Sequence, residues 1–273
     1  MLALALPIGL LIGLSLGALG GGGSILTVPA LVYLLGQDPR AATTGSLLIV
    51  GVTALAGTAA HHRAGRVRVA QGLIFGVLGI AGAYVGSRLS ASVAPAVLLA
   101  AFSVLMLVVA AMMVVPRRAQ LRAATAGQAE AGSLNGPVLQ FRPTLVCNCP
   151  RVLKVIVTAS AVGLLTGFFG VGGGFVVVPA LVLALGFTMP VAVGTSLLVI
   201  AINSTSALLS RMGNGVHLDW LLIGAFTIAA ILGSLLGGRL ASRVGPKRLT
   251  AAFTMLLVAV ALYTAVRSFP QLV

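Results

Sequence analysis

The sequence predicts an all-α polytopic membrane protein built from two inverted repeats, each a broken re-entrant helical hairpin followed by three transmembrane helices. Three observations carry this expectation. The 273 residues are 59% hydrophobic and only 7% charged, too few polar side chains to coat a water-soluble globule of this length. The apolar residues gather in runs of about 20, the length that crosses a hydrocarbon core of about 30 Å as a helix, and not in the short alternating segments of a barrel. The glycine-rich stretch Gly17 to Leu31 returns 150 residues later, with its flanks, as Gly167 to Leu181.

Taken in order, the apolar runs cover about 2–36, 41–60, 69–87, 93–115, 152–186, 191–210, 220–238 and 249–266. The first has no basic leader before it and continues past any plausible cleavage site, so it reads as a retained helix and not a signal peptide. Runs 2–36 and 152–186 are each 35 residues long, about 52 Å of helix at 1.5 Å per residue, which is too much for one crossing and too little for two. A helix, a glycine-rich break and a short second helix that turns back within the membrane fits that length. The remaining runs are single spans.

Residues 117–150 are mixed Arg, Gln, Ala, Gly and Pro without sustained apolar periodicity. They divide an N-terminal membrane repeat, 1–116, from a C-terminal one, 151–273, and read as a cytoplasmic linker. The repeat itself is strong. Between 17–48 and 167–198, aligned without a gap, 15 of 32 positions are identical. After one inserted residue, Gly86-Ser87-Arg88-Leu89 answers Gly237-Gly238-Arg239-Leu240.

The basic residues decide the relative direction of the copies. If each long run were one crossing, the two copies would be parallel and the 17 Lys and Arg would divide 11 against 6. If each long run is a hairpin returning to its own side, the second copy is inverted. Arg63, Arg66, Arg68, Arg117, Arg118, Arg122, Arg142, Arg151, Lys154, Arg239, Arg243, Lys247 and Arg248 then share a face against Arg40, Arg88, Arg211 and Arg267. Thirteen against four is a positive-inside pattern in a cell inner membrane, with the linker inside and both termini outside. The net charge of +14 is thereby an orientation signal, and no basic patch interleaved with aromatics suggests a nucleic-acid partner.

A break in a membrane helix frees backbone N–H and C=O groups, which survive only where they line protein or water. Short helices beginning near Ser24 and Phe175 would aim N–H groups and a positive dipole end into the interior. Paired breaks at matching positions of inverted halves point to a transporter's substrate site. The candidate binding residues are therefore Gly20, Gly21, Gly22, Gly23, Ser24 and Thr27 in the first break and Gly170, Gly172, Gly173 and Gly174 in the second. The polar side chains Thr44, Ser46, Thr195, Ser196 and Asn203 lie in the spans that follow. Hydroxyls in membrane helices also bond their own backbone, and glycine also serves close helix packing.

Arg88 and Arg239, at matching helix ends, are candidate gates that draw anions to the pore mouth, or snorkelling interface residues. His61 and His62 read as interface residues at a helix end. Cys147 and Cys149 are too few for a metal cage and, on the cytosolic side, are expected to be reduced. The three acids, Asp38, Glu130 and Asp219, all lie outside the apolar runs, whereas a proton- or sodium-coupled carrier usually displays an intramembrane carboxylate. No metal site, cofactor or catalytic residue is expected. An intramembrane enzyme would need a nucleophile and base at membrane depth, and no Gly-x-Ser-x-Gly elbow occurs.

Gly20-Gly21-Gly22-Gly23-Ser24 leading to Val28-Pro29-Ala30-Leu31, and Gly170-Val171-Gly172-Gly173-Gly174 leading to Val178-Pro179-Ala180-Leu181, resemble the repeated motif of the TauE/SafE family of sulfite exporters. The likeness covers nearly the whole chain except the linker, and the first copy has Ser24 where the second has Gly174. The resemblance implies export of small sulfur-containing oxyanions such as sulfite, sulfoacetate or related organosulfonates. The expected partners are such an anion, the lipid bilayer and a further copy of the chain. The alternatives are a carrier of another small anion or organic acid, or a non-transporting membrane scaffold.

Overall fold

Gly20 and Gly21 separate the first two helices, and Pro39 and Pro246 open later ones. The computed structural model describes residues 2–90, 97, 101–113, 149–169, 174–211 and 218–268, and among these there is no strand. The helices are α1 (Leu2–Leu19), α2 (Gly22–Pro29), α3 (Pro39–Arg63), α4 (Val69–Ser90), α5 (Ala101–Met113), α6 (Cys149–Phe169), α7 (Gly174–Leu183), α8 (Met189–Arg211), α9 (Trp220–Arg243) and α10 (Pro246–Ser268). Five of them, in α3, α4, α8, α9 and α10, are long and apolar enough to cross a membrane. The chain is a multi-pass membrane protein. Most of the expected linker lies outside the described residues, but α6 already begins at Cys149, two residues before the expected boundary.

The first long run is indeed broken. Gly20 takes φ +76°, a left-handed conformation that ends α1 and that glycine adopts without the Cβ penalty. The chain then reverses. A Cβ on Gly23 would lie 2.7 Å from that of Leu16, so α2 runs back along the helix it follows. Pro29 has no N–H to donate, and the chain beyond it loosens into a π-helical turn, Ala30–Leu34, where Leu35 N–H reaches Ala30 O at 3.1 Å. Both arms stop alike: Gln37 N–H bonds Leu31 O at 2.9 Å, and Phe187 N–H bonds Leu181 O at 3.1 Å.

Glycine also sets which helices touch. On α1, Gly9, Gly13 and Gly17 face Phe226, Ala230 and Ser234 of α9, so the two run parallel at backbone contact. On α6, Gly163 and Gly167 face Gly79 and Ala83 of α4 in the same sense. Gly45, Gly57 and Gly238 show α3 parallel to α9, meeting Ile223, Ser234 and His61 respectively, while Gly72 and Gly76 against Leu198 and Ile202 make α4 parallel to α8. Between α3 and α8 the sense is reversed, since Gly51 meets Ser204 and Gly57 meets Leu197.

Burial follows a lipid solvent. Leu11, Val77, Ile228 and Met255 are exposed, whereas Ser24, Thr27, Thr195, Ser196 and Ser234 are buried. Helix α7 is nearly enclosed, with Phe175 wholly buried and its ring edge-on to Phe102 at 5.1 Å.

Candidate functional site

The first break meets the start of α7. Any Cβ on Gly21 would overlap the carbonyl of Gly174, and one on Gly174 would lie 2.6 Å from Gly21 Cα and 2.9 Å from Ser24 Oγ. Only glycine permits this approach. The start of α2 and the start of α7 therefore stand backbone to backbone, in a surround of buried residues that includes Val178, Val193 and Ile200. The first N–H groups of a helix have no partner within it, and the dipole gives that end a partial positive charge. Gly22, Gly23, Ser24 and Gly174 belong to these first turns. The candidate residues Gly170, Gly172 and Gly173 lie outside the described residues.

The hydroxyls near the breaks are turned to their own helices. Ser24 Oγ donates to Gly21 O at 2.7 Å, Thr27 Oγ1 to Gly23 O at 3.0 Å, Ser46 Oγ to Thr43 O at 2.8 Å and Ser196 Oγ to Val193 O at 2.8 Å. The protons of these four are spent on helix carbonyls, whereas Ser15 Oγ, 3.6 Å from where a Gly22 side chain would begin, is buried without a partner. Ser196 nonetheless adjoins the site, its Oγ 2.6 Å from where a Gly20 side chain would begin. Thr195 accepts from Arg68 N–H at 3.1 Å and so ties α8 to the turn after α3. Thr44 is buried on α3. Asn203 sits in the α4–α8 seam with its amide against Gly79, and its Oδ1 is buried without a hydrogen-bond partner.

His61 is not where the sequence suggests. His61 is 2% exposed, and its Nε2 lies 3.0 Å from Gly17 O in the last turn of α1. A contact to a carbonyl makes Nε2 the protonated nitrogen. The interface reading of His61 fails because α9 presents Gly238 there, leaving room for a ring. Nδ1 is buried without a protein partner.

Beside His61 opens a cavity of about 320 Å³ between the C-terminal ends of α3 and α9, with Arg63, Arg66 and Arg239 in its lining and no acidic residue. Arg239 thus faces a cavity. Its counterpart Arg88 instead bonds Tyr84 Oη at 2.9 Å and lies over that ring at 5.4 Å, an exposed intrahelical pairing. Both described acids sit at helix starts: Asp219 accepts from Leu222 N–H at 3.1 Å and Asp38 from Ala41 N–H at 3.3 Å. No group of His, Cys, Asp or Glu among the described residues could hold a metal ion.

Comparison with known proteins extends this geometry. The family model described as "Sulfite exporter TauE/SafE" matches residues 5–264. A probable membrane transporter protein of Xylella fastidiosa (strain 9a5c) is 35% identical over 96% of this chain and 94% of its own length. The probable membrane transporter protein YunE of Bacillus subtilis (strain 168) is 30% identical over 92% of this chain and 90% of its own length. No solved structure matches.

Proposed function

Because the chain belongs to the sulfite exporter TauE/SafE family, we propose that it carries a small sulfur-containing oxyanion, sulfite or a related organosulfonate, out of the cell across the inner membrane by alternating access at the paired glycine breaks. The observation that carries this reading is the contact of Gly21 with Gly174, which brings two half-helix N-termini together inside the protein. An anion there would be held by backbone amides and dipole ends rather than by a fixed charge. That suits a substrate which must also leave. Export needs no coupling ion, since a negative cell interior supplies about 2.3 kcal/mol per charge and 100 mV.

The helix directions support inverted repeats. Helix α1 runs with α9, α9 with α3, α3 against α8, α8 with α4 and α4 with α6, so α1 and α6 point opposite ways. Exchange of the two halves turns the α1–α9 seam into the α6–α4 seam. Arg63 and Arg239 sharing one cavity also agrees with the inverted charge count and not with the parallel one. Alternating access then amounts to rocking one hairpin arm against the other about the glycine contact.

The test is flux from liposomes holding the purified chain. Sulfite should leave faster than from protein-free vesicles, with sulfate, sulfoacetate and taurine as competitors. Absence of flux under every gradient sinks the reading. The Gly22→Leu, Gly172→Leu pair should abolish flux while the protein stays in the membrane; at Gly22 the nearest obstacle to a side chain is only the flexible tip of Leu256.

A further inference from the structure

We propose that the arginine-lined cavity between α3 and α9 is a second anion site, a vestibule that takes a small oxyanion from water and passes it to the glycine breaks. The inference rests on the transport reading above and adds a place of first capture to it.

Three arginines, the exposed Arg63 and Arg239 and the half-buried Arg66, line one space, and arginine stays charged at any working pH. Like charges brought together repel unless something of opposite sign lies between them. No lining residue supplies it. The two described carboxylates are far away: Asp38 precedes α3 and Asp219 precedes α9, so each lies a whole helix of 25 or 24 residues from the arginine ends. That is about 36 Å, several times the Debye length of about 10 Å at 0.1 M salt.

Size and chemistry agree on the occupant. The cavity of about 320 Å³ is roughly ten times the 30 Å³ share of one water in the liquid, so it admits an oxyanion with part of its hydration shell. Guanidinium forks match pairs of oxyanion oxygens. The cavity also lies close to the first break, with His61 between them. Its His61 reaches Gly17 O, three residues before the Gly20 turn and so within about one helical turn of the break. The chosen occupant is a soluble anion. A lipid phosphate carries the same chemistry, and the experiment separates the two.

The full chain is placed in nanodiscs of phosphatidylcholine alone and titrated with radiolabelled sulfite at 20 and 300 mM chloride. Wild-type protein should bind about ten-fold more weakly at the higher salt. Arg63→Gln, Arg239→Gln should weaken binding at low salt about ten-fold or more and remove most of the salt dependence, whereas Arg63→Lys, Arg239→Lys should keep both. Should the double variant not fold, Arg239→Gln alone, at an exposed position, gives the same reading at smaller size. Unchanged binding in the glutamine variants, with flux intact in the wild type, overturns the vestibule and leaves the transport reading standing. An effect that appears only when phosphatidylglycerol is added makes the occupant a lipid headgroup, and also overturns it. A wild type that neither binds nor moves sulfite removes the transport reading itself.

Discussion

His61 Nε2 approaches the carbonyl of Gly17 at 3.0 Å, at the end of a helix that terminates inside the protein. The last carbonyls of a helix have no partner within it, and in an interior without water such an orphan is costly. The ring therefore acts as a cap supplied by another helix. His61→Ala is expected to cost about 1–3 kcal/mol, read as a lowered unfolding midpoint in detergent, with His61→Gln recovering part of the loss. Gly20 carries a different burden, a backbone twist. Gly20→Ala meets both its φ of +76° and the Ser196 hydroxyl 2.6 Å away, and should lower the midpoint as well. The glycines of the breaks were legible in the sequence because a repeated polar-poor turn in an apolar run has few other uses. The role of His61 was not, because it depends on the gap that Gly238 leaves 177 residues later.

At the scale of the element, the helices divide into seams and lipid faces. Gly13 in α1 lets the backbone of α9 approach until an added Cβ would sit 2.6 Å from Ala230 Cα; in α9 itself, Gly224 has nothing within 4 Å. The same substitution should therefore have opposite signs. Gly13→Ala is expected to destabilise by about 1–3 kcal/mol through overpacking, and Gly224→Ala to stabilise by about 0.5–1 kcal/mol through helix propensity, both measured by thermal unfolding. These seams carry a sequence signal, small residues four apart at Gly9-Gly13-Gly17, Gly82-Gly86, Gly163-Gly167 and Gly233-Gly237. Spacing identifies such stripes as interfaces. It says nothing of which stripe meets which, and that was the illegible part. The hairpin arms were easier, since 35 apolar residues exceed one crossing and fall short of two.

For the whole molecule, the proposed inverted arrangement is open to direct measurement. With Cys147 and Cys149 replaced, a single cysteine at Ser242 should react with a membrane-impermeant maleimide from the same side as one at Arg63. One at Tyr84 should react only from the other side. Labelling of all three from one side would refute the arrangement. In the sequence this proposal rests on charge bias, thirteen basic residues against four in the inverted arrangement and eleven against six in the parallel one. The proposed substrate rests only on likeness to a family. Backbone amides hold any small anion, and their identity does not depend on side chains.

The pairing of α1 with α9 has a consequence for synthesis. The stripe Gly9-Gly13-Gly17 finds its partner at Phe226 to Ser234, roughly 200 residues later in the chain. At about 5–20 residues per second, the first helix waits some 10–40 s in the bilayer before α9 emerges. Through that interval an adhesive glycine face lies open to lipid and to other nascent chains, and the N-terminal half cannot complete its packing without the other. The last helices made close the fold around the first, so the membrane receives a finished carrier only when translation is nearly over.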